Sequence, residues 1–177
     1  MREFVRRHRG KLIAGNTIVV AAFLISGAVS TAPQATLFFT PYGEDTIAPG
    51  AAVSLDVNVS AAVPVNAFDV VIAYPADMLE IIGTSEESSF LDLWPHREEH
   101  AVKDGVAEMH FTAGVFGRDG MIGTGTALTL NLRAKKTGTA EITFRDVQIT
   151  ASDGRGTEVE AASRSFVYTI RERGTGT

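Results

Sequence analysis

His96-Arg97-Glu98-Glu99-His100 is the densest run of groups able to do chemistry in this chain. Two imidazoles four residues apart would share one face of a helix, a spacing at which zinc can be held. The glutamate does not directly follow the first histidine, so the zinc-protease order is absent. A solvated acidic loop is the better reading. Paired carboxylates occur at Glu86-Glu87 and Glu98-Glu99, both in the most irregular stretch, where nothing rigid would hold the separation that glycoside cleavage requires. No Gly-x-Ser-x-Gly turn exists to raise a serine nucleophile. The absence of cysteine removes thiol catalysis, disulfides and cysteine metal sites together. The expectation is a chain with no catalytic residue, no metal and no cofactor.

Aromatic rings offer a different chemistry, because their faces stack on sugar rings. Trp94, just before Pro95, is the single tryptophan, while Tyr74 and Tyr168 read as core. Trp94 is thus the one candidate for carbohydrate binding, against the plainer reading of a loop residue folded over the core edge. Asn58-Val59-Ser60 is a glycosylation sequon that falls inside a strand pattern.

Charge divides the chain. The first eleven residues carry five cations against Glu3, so the formal charge of −5 for the whole chain becomes −9 for the remainder. An acidic body excludes nucleic acid as a partner, since phosphate binding needs a basic patch. Arg2, Arg6, Arg7, Arg9 and Lys11 precede an apolar run from Leu12 to Val29 that gives way to small and polar residues. A basic end, an apolar middle and a small-residue exit predict an export signal over residues 1–30. Ala28 and Ser30 fit cleavage after Ser30, and retention as a single N-terminal membrane anchor is the alternative. Either way the body is expected outside the cytoplasm, extracellular or at the cell surface.

The remaining chain, residues 31–170, reads as strands throughout, followed by a polar tail at 171–177 expected to be flexible. Val53, Leu55, Val57 and Val59 alternate with Ser54, Asp56, Asn58 and Ser60, giving one face to the core and one to water. Val65 to Tyr74 follows, with Phe68, Val70, Ile72 and Tyr74 opposite Ala67, Asp69, Val71 and Ala73; both sides are largely apolar. Leu79 to Gly83 continues after a proline turn, and Ser85 to His100 is predicted as a long loop or short helix. Val106 to Ala113 alternates again after the Asp104-Gly105 turn. Gly114 to Gly125, with five glycines, is predicted as a loop. Thr126 to Lys135, Thr139 to Val147 and Ser163 to Ile170 complete the pattern. A doubly apolar strand does not suit a barrel, so the prediction is an all-β antiparallel sandwich of eight or nine strands, of jelly-roll type.

Several of these segments resemble the cohesin domain, the β-sandwich receptor module of bacterial cellulosomes. Tyr74-Pro75-Ala76-Asp77-Met78-Leu79-Glu80-Ile81 is similar to that family's turn and the strand after it. Gly105 to Ala113, Gly125 to Ala134, and Lys136-Thr137-Gly138-Thr139-Ala140-Glu141-Ile142-Thr143-Phe144 are similar to its later strands, in order, with Asp153-Gly154 as the later acidic turn. The resemblance implies a binding module in which a dockerin docks on one sheet face. It places Asp69 at a position whose side chain bonds the partner, while Ala67 stands where the family has asparagine. Gly114-Val115-Phe116-Gly117-Arg118-Asp119-Gly120 departs from the family pattern.

Pleating points to a face as well. If Phe68, Met109 and Leu130 turn inward, Asp69, His110 and Asn131 must turn outward. With them go Ala67, Val71, Ala73, Glu108, Thr112, Thr129 and Arg133. The expected contact set for a protein partner is therefore Asp69, Val71, Ala73, Glu108, His110, Thr129, Asn131 and Arg133. The plainer reading is that the small apolar members are covered or are scattered exposure. The function expected is an exported, non-catalytic module binding a dockerin-like partner in a polysaccharide-related or cell-surface assembly. The alternatives are a carbohydrate-binding module using Trp94 and a structural or adhesive surface domain.

Overall fold

The computed structural model describes residues 32–117 and 119–172, which belong to the unit Ala32–Thr177, and gives residues 98–102 by their backbone. The expected signal or anchor over residues 1–30 and the tail beyond 172 lie outside the described residues.

Ten strands follow one another: β1 (Ala35–Pro41), β2 (Thr46–Ile47), β3 (Ala52–Pro75), β4 (Leu79–Ser85), β5 (Leu93–Lys103), β6 (Val106–Gly114), β7 (Met121–Ala134), β8 (Gly138–Ala151), β9 (Ala161–Ser163) and β10 (Phe166–Ile170). The organising element is β3, one continuous strand of 24 residues where two were expected. Its first half, Ala52 to Ala61, lies between β1 and β7, both antiparallel to it. Its second half, Val65 to Pro75, lies between β6 and β8. The register against β7 shifts between Ala61 and Val65. Pro64 sits in that interval, where a residue without an N–H loses least.

The two halves seed two layers. β4 joins the far side of β7 and β9 joins β1 in parallel, so one layer runs β9-β1-β3-β7-β4. β5 joins the far side of β6, so the other runs β8-β3-β6-β5. The start of β8 pairs with β10, which carries β2 in parallel on its other side. Leu55, Val57 and Val59 from the first half of β3 and Phe68, Val70 and Ile72 from the second enter one buried cluster. Leu37 of β1, Phe111 of β6, Leu128, Leu130 and Leu132 of β7 and Ile149 of β8 are among those that join it. The fold is the expected all-β sandwich.

Two local expectations change. Residues 93–103 form strand β5 rather than loop or helix. A polar run holds as a strand here because it occupies a sheet edge, paired to β6 alone among the described residues, while Trp94 packs inward at 5.8 Å from the Phe111 ring. Strand β7 also begins at Met121, inside the glycine-rich stretch expected to be loop. Gly125 explains why a glycine serves there: a Cβ at this position would lie 2.8 Å from Phe90 Cδ1, in the space that ring fills.

Tyr168 is fully buried, and its hydroxyl finds no hydrogen-bond partner among the described residues. Burial pushes its ionisation up from 10.0 to about 12. The unfolded chain therefore releases this proton first as pH rises, and stability drains away between those two values. Tyr168→Phe is expected to flatten that alkaline loss and to keep or raise the melting temperature at neutral pH, because it deletes an unpaired polar atom. Thermal melts of both proteins from pH 7 to 11.5 check this; a variant melting well below wild type at pH 7 would show that the hydroxyl has a partner.

Candidate functional site

The outward side of the β8-β3-β6-β5 layer gathers the most interactive part of the predicted face. Alternation along β3 turns Phe68, Val70 and Ile72 to the core, so Ala67, Asp69, Val71 and Ala73 take the other side. Pairing fixes their neighbours on both flanks. Asp69 stands opposite Thr112 and Gln148, Val71 opposite His110 and Asp146, and Ala73 opposite Glu108 and Thr143.

Asp69 is the centre of a small network. His110 Nε2 lies 2.7 Å from Asp69 Oδ1, and the Thr112 hydroxyl donates to Asp69 Oδ2 at 3.0 Å. The His96 ring is 4.9 Å from that of His110. Asp69 keeps 43% of its side chain exposed and His110 25%, so a carboxylate held in place by its neighbours still faces solvent. Such a group is oriented in advance for an incoming donor, which lowers the entropy lost on binding. The same face also carries the small residues Ala67, Val71 and Gly114. At one end Glu108 lies 3.8 Å from Arg145 of β8. Here Ala73 departs from expectation. It is only 3% exposed, outside the core cluster, and floors a shallow cleft walled by Thr143 and Arg145. Its neighbours' longer side chains reach over it, so a partner would meet them first.

Thr129, Asn131 and Arg133 do not join this face. All three lie on β7, which pairs with the first half of β3, opposite Asp56, Ser54 and Ala52. They therefore project from the other layer, across the core from Asp69. There they are already engaged: the Thr129 hydroxyl donates to Asp56, the Ser54 hydroxyl donates to Asn131 Oδ1 at 2.9 Å, and Arg133 is 3.7 Å from Glu80. The Asn58 amide is part of the same polar ladder, donating to Thr40 Oγ1 at 3.0 Å and accepting from Thr126 Oγ1 at 2.9 Å. Asp56 also meets Tyr42, whose ionisation its charge and hydrogen bond push upward.

Other chemical candidates disperse. On strand β5, positions four apart are separated by about 13 Å, so His96 and His100 do not share a helix face. Among the described residues, no group of three or more His, Asp or Glu side chains is placed to hold a metal ion. Glu86 pairs with Arg97, whose guanidinium lies 5.8 Å from the Trp94 ring centre. Trp94 thus spends one side on Phe111 and is covered by a cation on its flank, a poor platform for a sugar ring. The β8 contributions, Asp146, Gln148 and Arg145, escaped sequence reasoning. No periodicity in β8 could reveal that it lies beside the second half of β3.

A family model described as the cohesin domain matches residues 40–170 of the chain. Among solved structures, a type I cohesin–dockerin complex from Clostridium thermocellum is similar at a TM-score of 0.61 and 17% identity, over 81% of this chain and 99% of that one. A non-cellulosomal cohesin from the archaeon Archaeoglobus fulgidus gives 0.59 and 16% identity, over 80% and 94%. A type II cohesin domain from the cellulosome of Acetivibrio cellulolyticus gives 0.59 and 12%, over 77% and 95%. No curated protein sequence matches the chain.

Proposed function

The chain belongs to the cohesin domain family, whose domains are non-catalytic binding modules, and we propose on that basis that it is an exported receptor module docking a dockerin-like protein partner through the β8-β3-β6-β5 face. The carrying observation is Asp69, solvent-facing yet held by His110 and Thr112 on a face that also carries the small residues Ala67 and Val71. Small residues let a partner approach the strand closely, and one oriented carboxylate gives it a register to find. Because β3 and β6 are both interior strands, their backbone groups are taken up by neighbours. Contact over the middle of the face therefore proceeds through side chains. As a domain of a non-catalytic family it performs no reaction, and its setting is a polysaccharide-related or cell-surface assembly. The basic and apolar N-terminal stretch supports export.

A panel of immobilised dockerin modules, run beside insoluble cellulose and chitin, tests the reading. At least one dockerin is expected to bind, and Thr129→Ala and Asn131→Ala are expected to bind it within about twofold of wild type, since both residues lie on the opposite layer. Loss of a demonstrated complex in either variant would move docking to that layer. Retention on polysaccharide that vanishes with Trp94→Ala, with no dockerin bound, would replace this function with carbohydrate binding.

A further inference from the structure

The docking face does not end with the sheet. At the end where Ala67 pairs with Gly114, the chain leaves β6 at Val115 and reaches β7 after Gly120. Val115, Phe116 and Gly120 are each held by neighbours. Val115 N donates to the Asn66 carbonyl at 2.9 Å, and Phe116 N donates to Asp92 Oδ2 at 3.0 Å. At the other end Gly120 adopts φ +62° and sits so close to Val65 O and Ser152 that a Cβ would fall within 2.7 Å of both. The fastened backbone nevertheless presents Phe116 to solvent with 67% of the residue exposed. Leu93, paired with Gly114 on the same outward face, is 42% exposed. A Cβ on Gly114 would lie 3.9 Å from that of Leu93, so glycine leaves the step between sheet and loop open.

A single exposed apolar side chain needs no explanation. Two of them beside the one acidic network of a docking face, one on a loop whose backbone is tied by a carboxylate and a carbonyl, form a different arrangement. Phe116 supplies little to the core, so the fold does not account for it. A partner that covers the ring would gain its apolar area with little ordering cost, because the backbone at Val115 and Phe116 is already held. We infer that Phe116, seconded by Leu93, is the apolar anchor of the docking surface and the residue that selects among dockerin-like partners, by requiring an apolar cluster where the partner overlies the loop. The inference rests on the docking function proposed above. Asp69 would set register at the centre of the face, and Phe116 would set residence time at its end.

The test uses the purified protein, the dockerin module that binds best in the panel, and the variants Phe116→Ala, Phe116→Leu and Asp69→Asn, followed by surface plasmon resonance and thermal melting. Phe116→Ala is expected to weaken binding about 30-fold, mostly through faster dissociation, while its melting temperature stays within about 2 °C of wild type. Phe116→Leu is expected to keep affinity within about fivefold. If Phe116→Ala binds within about threefold of wild type while Asp69→Asn weakens the complex, docking stands and the anchor is overturned. If both variants bind as wild type, the face is wrong and both conclusions fall. If Phe116→Ala instead converts a self-associated protein to monomer with dockerin binding intact, the ring serves contact between copies and the anchor assignment is overturned.

Discussion

Asp69→Ala is expected to weaken the partner complex about 100-fold or more, the largest single effect on binding that this face predicts. The carboxylate is held by two side chains from the neighbouring strand, so in the free protein it is already aimed at the solvent side of the sheet. Truncation removes the acceptor offered to the partner and leaves the partner's donor unpaired in a desolvated interface. Losing one member of such a charged contact costs about 2–5 kcal/mol. His110→Ala should weaken docking less, because it removes the support and leaves the acceptor. A double-mutant cycle separates these roles: the two changes should combine less than additively, since residues in one network share their energy. Fully additive losses would mean that Asp69 and His110 contact the partner independently. Both variants should fold normally, because neither side chain enters the core.

Phe68→Ala, one residue away, is expected to act on the opposite quantity. Phe68 is 2% exposed, packs edge-on against Phe90 at 5.6 Å, and faces the other layer from the middle of the strand shared by both. Its deletion opens a cavity that strand neighbours on either side, held by ladder bonds to β6 and β8, are poorly able to close. A loss of about 4 kcal/mol follows, enough to lower the melting temperature by about 10 °C. Phe90 would lose its edge-on partner, while Gly125 would still leave the ring room on its other side. Denaturant titration measures the loss directly, with an unchanged slope showing that the native state remains intact. A loss below about 1 kcal/mol would mean that the core collapses around the site more freely than its packing suggests. The pair of neighbours thus separates function from stability within two residues: Asp69 is read by binding and Phe68 by unfolding.

How much of this was legible before the fold was known varies by residue. For Phe68 and Asp69 the two-residue period was enough, because successive side chains on any strand point to opposite sides. The same holds for Met109 against His110 and for Leu130 against Asn131, whose inward and outward roles were all read correctly. Trp94 also packs as a residue over the core edge. The edge strand β5 was not legible. Its stability comes from β6 and from one tryptophan meeting Phe111, while its own composition is that of a solvated loop. Ala73 misled for a related reason: its outward direction was right, and its accessibility was set by Thr143 and Arg145 on a strand 70 positions later.

The amino-acid sequence by itself determined that this is a cysteine-free, acidic β-sandwich, which residues of β3 enter its core with Met109 of β6 and Leu130 of β7, and that Asp69 and His110 look outward. It could not determine that Asp69 and Asn131 look outward in opposite directions. Alternation is a local property, fixed by the pleat of each strand, and it assigns every side chain to the inside or outside of its own sheet. Which sheet a strand joins depends on pairing between segments far apart in the chain. Here that choice is made by β3, which gives its first half to β7 and its second half to β6 and β8. Only that crossing brings Asp69 to His110 and carries Thr129, Asn131 and Arg133 to the far side of the core.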